Sequence, residues 1–95
     1  MAAYVVVQVN VKDAAKFEEY RKQGPATIAQ YGGRYVVRGG AMEEIEGKWA
    51  HPRLVILEFP TMDQAKAWYH SPEYAGPKAL RFAAADANAV FVEGV

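Results

Sequence analysis

Glu58-Phe59-Pro60-Thr61-Met62-Asp63-Gln64-Ala65-Lys66-Ala67-Trp68-Tyr69-His70-Ser71-Pro72-Glu73-Tyr74 is the stretch around which the chain is organised. It reads as the end of a strand, a capped helix carrying an aromatic pair, and a second cap. Pro60 ends the strand because it has no N–H to give to a ladder. Thr61 is a natural N-cap, and Gln64 three residues on completes a capping box. Ala65, Trp68 and Tyr69 fall at i, i+3 and i+4, which is one helix face. Ser71 caps a second helical piece with Pro72 at its first position, where the missing N–H costs nothing. Glu73 in that first turn suits the helix dipole. An apolar face between two caps is structural in the first place, and Trp68 is read first as core.

Outward from this stretch, Arg53 to Phe59 is a strand, apolar on both faces through Leu54-Val55-Ile56-Leu57. Before it, Ala41 to Pro52 is a connector, and Arg34 to Arg38 is a strand that alternates. Tyr35 and Val37 fall on one side of it, Arg34, Val36 and Arg38 on the other. Gly32-Gly33 closes a preceding helix. That helix starts after Asp13 as N-cap, turns Phe17, Tyr20 and Arg21 to one face, and is broken or kinked at Gly24-Pro25. Ile28 and Tyr31 point inward beyond the break. Tyr4 to Val11 is the first strand, nearly continuous in apolarity, with Gln8 its one polar residue before Asn10. On the far side, Pro77 to Ala83 is a helical stretch entered at Pro77. Ala89 to Val95 is the last strand, with Val90 and Val92 on one face.

The order βαββαβ is the split βαβ, ferredoxin-like arrangement. The fold class is α+β, with an antiparallel four-stranded sheet and helices on one face. Residues 1–95 make a single ferredoxin-like domain. The first and third strands are apolar on both sides, and no element is left to cover the second side. A second copy packing sheet on sheet covers it, giving a homodimer with a barrel-like space between sheets: a dimeric α/β barrel.

Lys plus Arg number 11 and Asp plus Glu 11, so the formal charge is zero. A nucleic-acid or anionic-membrane partner would call for a net basic surface. There is no cysteine, which removes disulfides, thiolate nucleophiles and Cys-based metal sites. Met1-Ala2-Ala3-Tyr4 lacks a basic n-region, so no signal peptide is read. No apolar run approaches the roughly 20 residues of a membrane span. The expectation is a soluble, cytoplasmic protein.

Taken together, Arg38-Gly39-Gly40, Glu46-Gly47-x-Trp49, Glu58-Phe59-Pro60, Ala65-x-x-Trp68-Tyr69-x-Ser71-Pro72-x-Tyr74, Arg81 and Val92-Glu93-Gly94 resemble the domain-of-unknown-function family 1330 over nearly the whole chain. The resemblance implies a ferredoxin-like protomer within the dimeric α/β-barrel superfamily. It implies no activity, because the family's own function is not established.

Glu58 closes an apolar strand on the Leu54 and Ile56 side. A carboxylate there is costly to bury alone, so a cation is expected beside it, with Arg38 or Arg81 as candidates. Two readings stand: a polar ligand site in which Glu58 is tuned as a general base, or a structural ion pair that fixes strand register. Trp49, Trp68, Tyr69 and Tyr74 wall a pocket for a flat apolar or aromatic molecule, or else fill core and dimer interface. His70, at the end of the central helix, is an acid–base candidate or simply a cap. His51 before Pro52 is solvated. Zinc or haem would require a ligand cluster, and the sequence shows none, so no cofactor is expected. Glycines 32, 33, 39 and 40 form turns and lack the context of a phosphate loop. The Glu43, Glu44 and Glu46 run is a solvated loop face. The functional expectation is small-molecule binding with cofactor-independent chemistry; the alternative is a non-catalytic structural or regulatory dimerisation module.

Overall fold

A computed structural model describes residues 1–95. The first strand, β1 (Ala3–Val11), conceals a period of two within its apolar run. Ala3, Val5, Val7 and Val9 are buried, while Tyr4, Val6 and Gln8 between them are only half-buried. Within one chain the strand therefore has one covered face, not two. Asp13 accepts a hydrogen bond from the Lys16 amide at 3.1 Å and caps α1 (Ala14–Gln30).

No break occurs at Gly24-Pro25: α1 is one continuous helix with Pro25 inside it. Pro25 removes the N–H that would serve the Arg21 carbonyl one turn back. The Arg38 guanidinium donates to that same carbonyl at 3.3 Å. The Thr27 hydroxyl donates to the Gly24 carbonyl at 2.7 Å, and the Trp68 indole N–H donates to Thr27 at 3.0 Å. One tertiary donor, Arg38, thus stands where the helix loses its own, and Trp68 ties the next turn to α2 through Thr27.

Strands β2 (Arg34–Arg38) and β3 (Arg53–Phe59) have the limits read from sequence. The connector from Gly39 to Pro52 is neither helix nor strand. Its Ile45 and Trp49 are exposed, and Gly47 adopts a positive φ of 65°. Thr61 caps α2 (Met62–Tyr69), accepting from the Gln64 amide at 3.1 Å. The Gln64 side chain turns to the Thr61 hydroxyl and to the Tyr31 carbonyl, tying the helix to the end of α1.

Ser71 caps α3 (Pro72–Ala84) through the Tyr74 amide. This is one helix from Pro72 onward, not a stretch entered at Pro77. Pro77 lies inside it and is buried together with Tyr74, Arg81 and Ala84, so side-chain packing offsets one missing bond. The last strand, β4 (Ala85–Glu93), begins four residues before Ala89, its expected start. Ala85 to Asn88 have weak strand propensity. They are held by pairing opposite Val11 to Gln8, and by a Lys12–Asp86 ion pair at 2.8 Å.

The sheet order is β2-β3-β1-β4, antiparallel throughout. The architecture is the four-stranded ferredoxin-like one, with all three helices on one face. The core between them holds Val5, Val9, Phe59, Trp68 and Tyr74 at 2% exposure or less. The other face leaves Val36, Val90 and Val92 at 45–58% exposure. No helix is long and apolar enough to cross a membrane.

One irregularity re-aims a side chain. Tyr35 lies opposite Leu57, but Val37 lies opposite Ile56, so Val36 is an extra residue in β2. Such a bulge shifts the alternation of everything beyond it. Arg38 comes opposite Val55, which shares the helix-covered face with Leu57. The regular alternation expected for this strand put Arg38 on the opposite side.

Candidate ligand-binding site

The sheet face under the helices supplies Val5, Val7, Leu57 and Val55, and α1 supplies Phe17, Tyr20 and Arg21. From α2 and α3 come Trp68, Tyr69, Tyr74 and Arg81. Tyr35 and Arg38 reach in from β2, and Arg53 from the start of β3. Between them is a cavity of about 30 Å³. At roughly 10–15 Å³ of such space per water molecule, that admits about two.

The aromatic wall is continuous. The Trp68 and Tyr74 rings lie 4.1 Å apart, Tyr69 stands edge-on to Trp68, and Tyr20 is edge-on to Tyr74. The Tyr20 and Tyr74 hydroxyls are hydrogen-bonded at 2.9 Å. Gly24 leaves room beside them: a Cβ there would sit 3.8 Å from the Tyr35 hydroxyl and 3.9 Å from the Tyr20 ring.

The charged lining is all of one sign. Arg21, Arg38, Arg53 and Arg81 border the cavity and no carboxylate does. Arg38 stacks on the Tyr35 ring at 4.4 Å, and Arg53 lies 5.6 Å from the centre of the Phe17 ring. Arg81 is only 4% exposed. The Nε atoms of Arg21, Arg53 and Arg81 are buried and without a hydrogen-bond partner. Arg21 alone meets an acid, Glu18 at 3.4 Å on the exposed flank.

Titration behaviour follows this crowding. Burial pushes the Tyr20 phenol far above its ordinary value, and Tyr74 beside it adds to the rise. Burial also raises Tyr35, against the pull of Arg38. The Arg53 guanidinium is lowered, first by burial and then by Arg21 and Arg38. Burial opposes the charge on Arg81, yet the hydroxyls of Tyr74, Tyr20 and Tyr69 leave it raised on balance.

The residues singled out from sequence divide into two groups. Arg38, Trp68, Tyr69, Tyr74 and Arg81 meet at the cavity. Glu58, Trp49 and His70 do not. Glu58 lies on the open sheet face opposite Arg34, which pairs with it at 2.7 Å, and it accepts from Tyr4 at 3.1 Å. The cation expected beside Glu58 is therefore Arg34, not Arg38 or Arg81. The bulge carries Arg38 to the other face, and Arg81 is buried beneath the helices. Trp49 stands on the exposed connector, its amide donating to Glu44. His70 ends α2, exposed, edge-on to Tyr69. No cluster of histidine and acid side chains suited to a metal ion is present. Sequence reasoning missed Arg21, Arg53, Tyr20 and Tyr35 as lining. For Arg21 a signal was available: a cation sharing a helix face with Phe17 and Tyr20 needs a reason to be there.

A family model, that of the domain of unknown function DUF1330, matches residues 2–95. The chain belongs to that family. No curated protein matches the DUF1330 chain in sequence. Several solved structures share its fold. A protein of unknown function from Rhodopseudomonas palustris superposes with a TM-score of 0.81 at 16% identity, covering 99% of this chain and 82% of that one. A dimeric ferredoxin-like protein of unknown function from Jannaschia sp. CCS1 gives 0.74 at 13% identity, covering 99% and 100%. SnoaB from Streptomyces nogalater, a cofactor-independent oxygenase, gives 0.68 at 13% identity, covering 99% and 93%.

Proposed function

We propose that this DUF1330 domain binds a small flat molecule between its sheet and its helices, and does so as a homodimer. The observation that carries this reading is the cavity, where buried polar groups without partners face an aromatic wall. A purely structural core satisfies its polar groups. Arg38, Trp68, Tyr69, Tyr74 and Arg81 line the binding site in this reading, and Glu58 and His70 serve the fold.

The dimer reading rests on the open face of the sheet, where Val6, Leu54 and Ile56 are half-buried and Val36, Val90 and Val92 exposed. The Jannaschia protein of the same fold is described as dimeric. A balanced charge and the absence of cysteine fit a cytoplasmic protein whose partners are neither nucleic acid nor membrane.

Catalysis without a cofactor is the second reading. SnoaB carries such an activity on the same fold. In this chain the groups available for it are the Tyr20–Tyr74 hydroxyl pair and the arginines.

A fragment screen by protein-observed NMR tests the binding reading. Hits are expected to move the ring and amide resonances of Tyr35, Tyr69 and Tyr74 as one set. A screen whose hits all map to the connector or the open sheet face would sink it.

A further inference from the structure

The cavity's charge is unbalanced in a way that the fold alone does not require. Four arginines, Arg21, Arg38, Arg53 and Arg81, line one small space, and the first two bear directly on Arg53. Three of them keep a buried Nε–H with nothing to donate to. Arg81 sits nine-tenths buried among Tyr74, Tyr20 and Tyr69, whose oxygens meet part of its donor set and leave its Nε–H unserved. A buried cation is strongly disfavoured unless an anion or hydrogen-bond acceptors meet it, and neighbouring cations make matters worse. No acid of the chain lines the cavity: Glu58 pairs with Arg34 and Asp86 with Lys12, while Glu18, on the exposed flank, meets Arg21 and reaches Arg53 only from outside. Water in a space of about 30 Å³ serves two or three of these donors but neutralises none of them.

Resting on the binding reading above, we propose that the ligand is a small organic anion, a carboxylate whose head enters among Arg53, Arg38 and Arg81. The guanidinium fork matches a carboxylate in plane and spacing, and a partly dry, low-dielectric surround strengthens the contact. Aromatic rings on the inner side, Tyr69 and Trp68, take a flat apolar body. Arg38 is exposed, and Arg21 and Arg53 are partly so, which places these three at the mouth. Because the closed cavity holds about two waters, admitting a ring-sized body requires these three side chains to swing outward. Arg81 stays below as the fixed donor.

The test uses acetate and benzoate, each beside its neutral amide, titrated at constant ionic strength into the full-length protein. The readout is the arginine Nε–Hε NMR resonances together with those of Tyr35 and Tyr69. Benzoate is expected to shift the arginine signals and to bind at least tenfold more tightly than benzamide. Arg53→Gln and Arg38→Gln, at the accessible mouth, are expected to weaken benzoate binding about tenfold to a hundredfold, the usual worth of a charged hydrogen bond. Arg81→Gln risks the fold, so those two variants carry the test. Amides that bind as well as the acids would overturn the anion assignment and leave the pocket standing. Acids that move no arginine signal, while neutral fragments still occupy the cavity, would overturn it equally. Fragments that avoid the cavity altogether would instead remove the binding reading beneath it.

Discussion

Tyr20 shows how one side chain senses the inside of the cavity. Its hydroxyl is shared with Tyr74, and burial holds its proton well beyond the ordinary phenol range. In the unfolded chain the same phenol titrates near about 10. Below that pH both states keep the proton and its contribution to stability is complete. Above it the unfolded chain releases the proton first, so stability falls by up to about 1.4 kcal/mol per pH unit until the folded phenol titrates too. Denaturant midpoints followed upward from about pH 9 to 11 are expected to fall. In Tyr20→Phe the fall should be shallower, though Tyr4, Tyr31 and Tyr35, which are also raised, keep part of it. An identical slope in wild type and variant would show that Tyr20 titrates as in water. Sequence alone placed Tyr20 on one helix face with Phe17 and Arg21. It had no means of placing a second hydroxyl against it from a residue 54 positions away.

Strand register decides which charges meet. The extra residue in β2 sends Arg38 under the helices and leaves Arg34 on the open face with Glu58. A double-mutant cycle on Arg34 and Glu58 is expected to give a coupling of at most about 1 kcal/mol, since the Arg34 side chain is 70% exposed. The same cycle on Arg38 and Glu58 should be additive within roughly 0.5 kcal/mol, as they share neither face nor partner. Substantial coupling in the second cycle would mean that the strand is regular after all. Alternation in Arg34-Tyr35-Val36-Val37-Arg38 gave no warning, because a bulge is set by pairing across strands rather than by composition. Elements with local causes were legible: the caps at Asp13, Thr61 and Ser71, and the limits of β2 and β3. Those that depend on distant partners were not. Pro25 is tolerated because Arg38 reaches the carbonyl it frees, and β4 starts early because Val11 pairs with Ala85.

As a body the chain is a slab, about 33 × 31 × 16 Å between Cα atoms, with one layer of sheet and one of helix. Only 18 of 95 residues are buried, so a second copy on the open face would enlarge a meagre core. Sedimentation at micromolar concentration is expected to give a dimer. Ile56→Lys, which puts a cation in the middle of that face, should shift it to folded monomer with unchanged helical circular dichroism. A wild-type monomer under those conditions would refute the dimer. The two-sided apolar strands made this face legible from sequence, whereas the cavity beneath the helices was legible only in part, through its aromatics. The bulge in β2 has one more effect, on how copies of this chain avoid one another. β2 is an outer strand of the sheet, and a flat outer strand invites the next molecule to add to it, copy after copy. A strand kinked by an extra residue and flanked by Arg34 and Arg38 makes a poor template for such growth. At the opposite margin β4 exposes Asp86, Asn88 and Glu93. Both margins therefore resist fibrillar stacking, and the dimer proposed above would use the broad face instead.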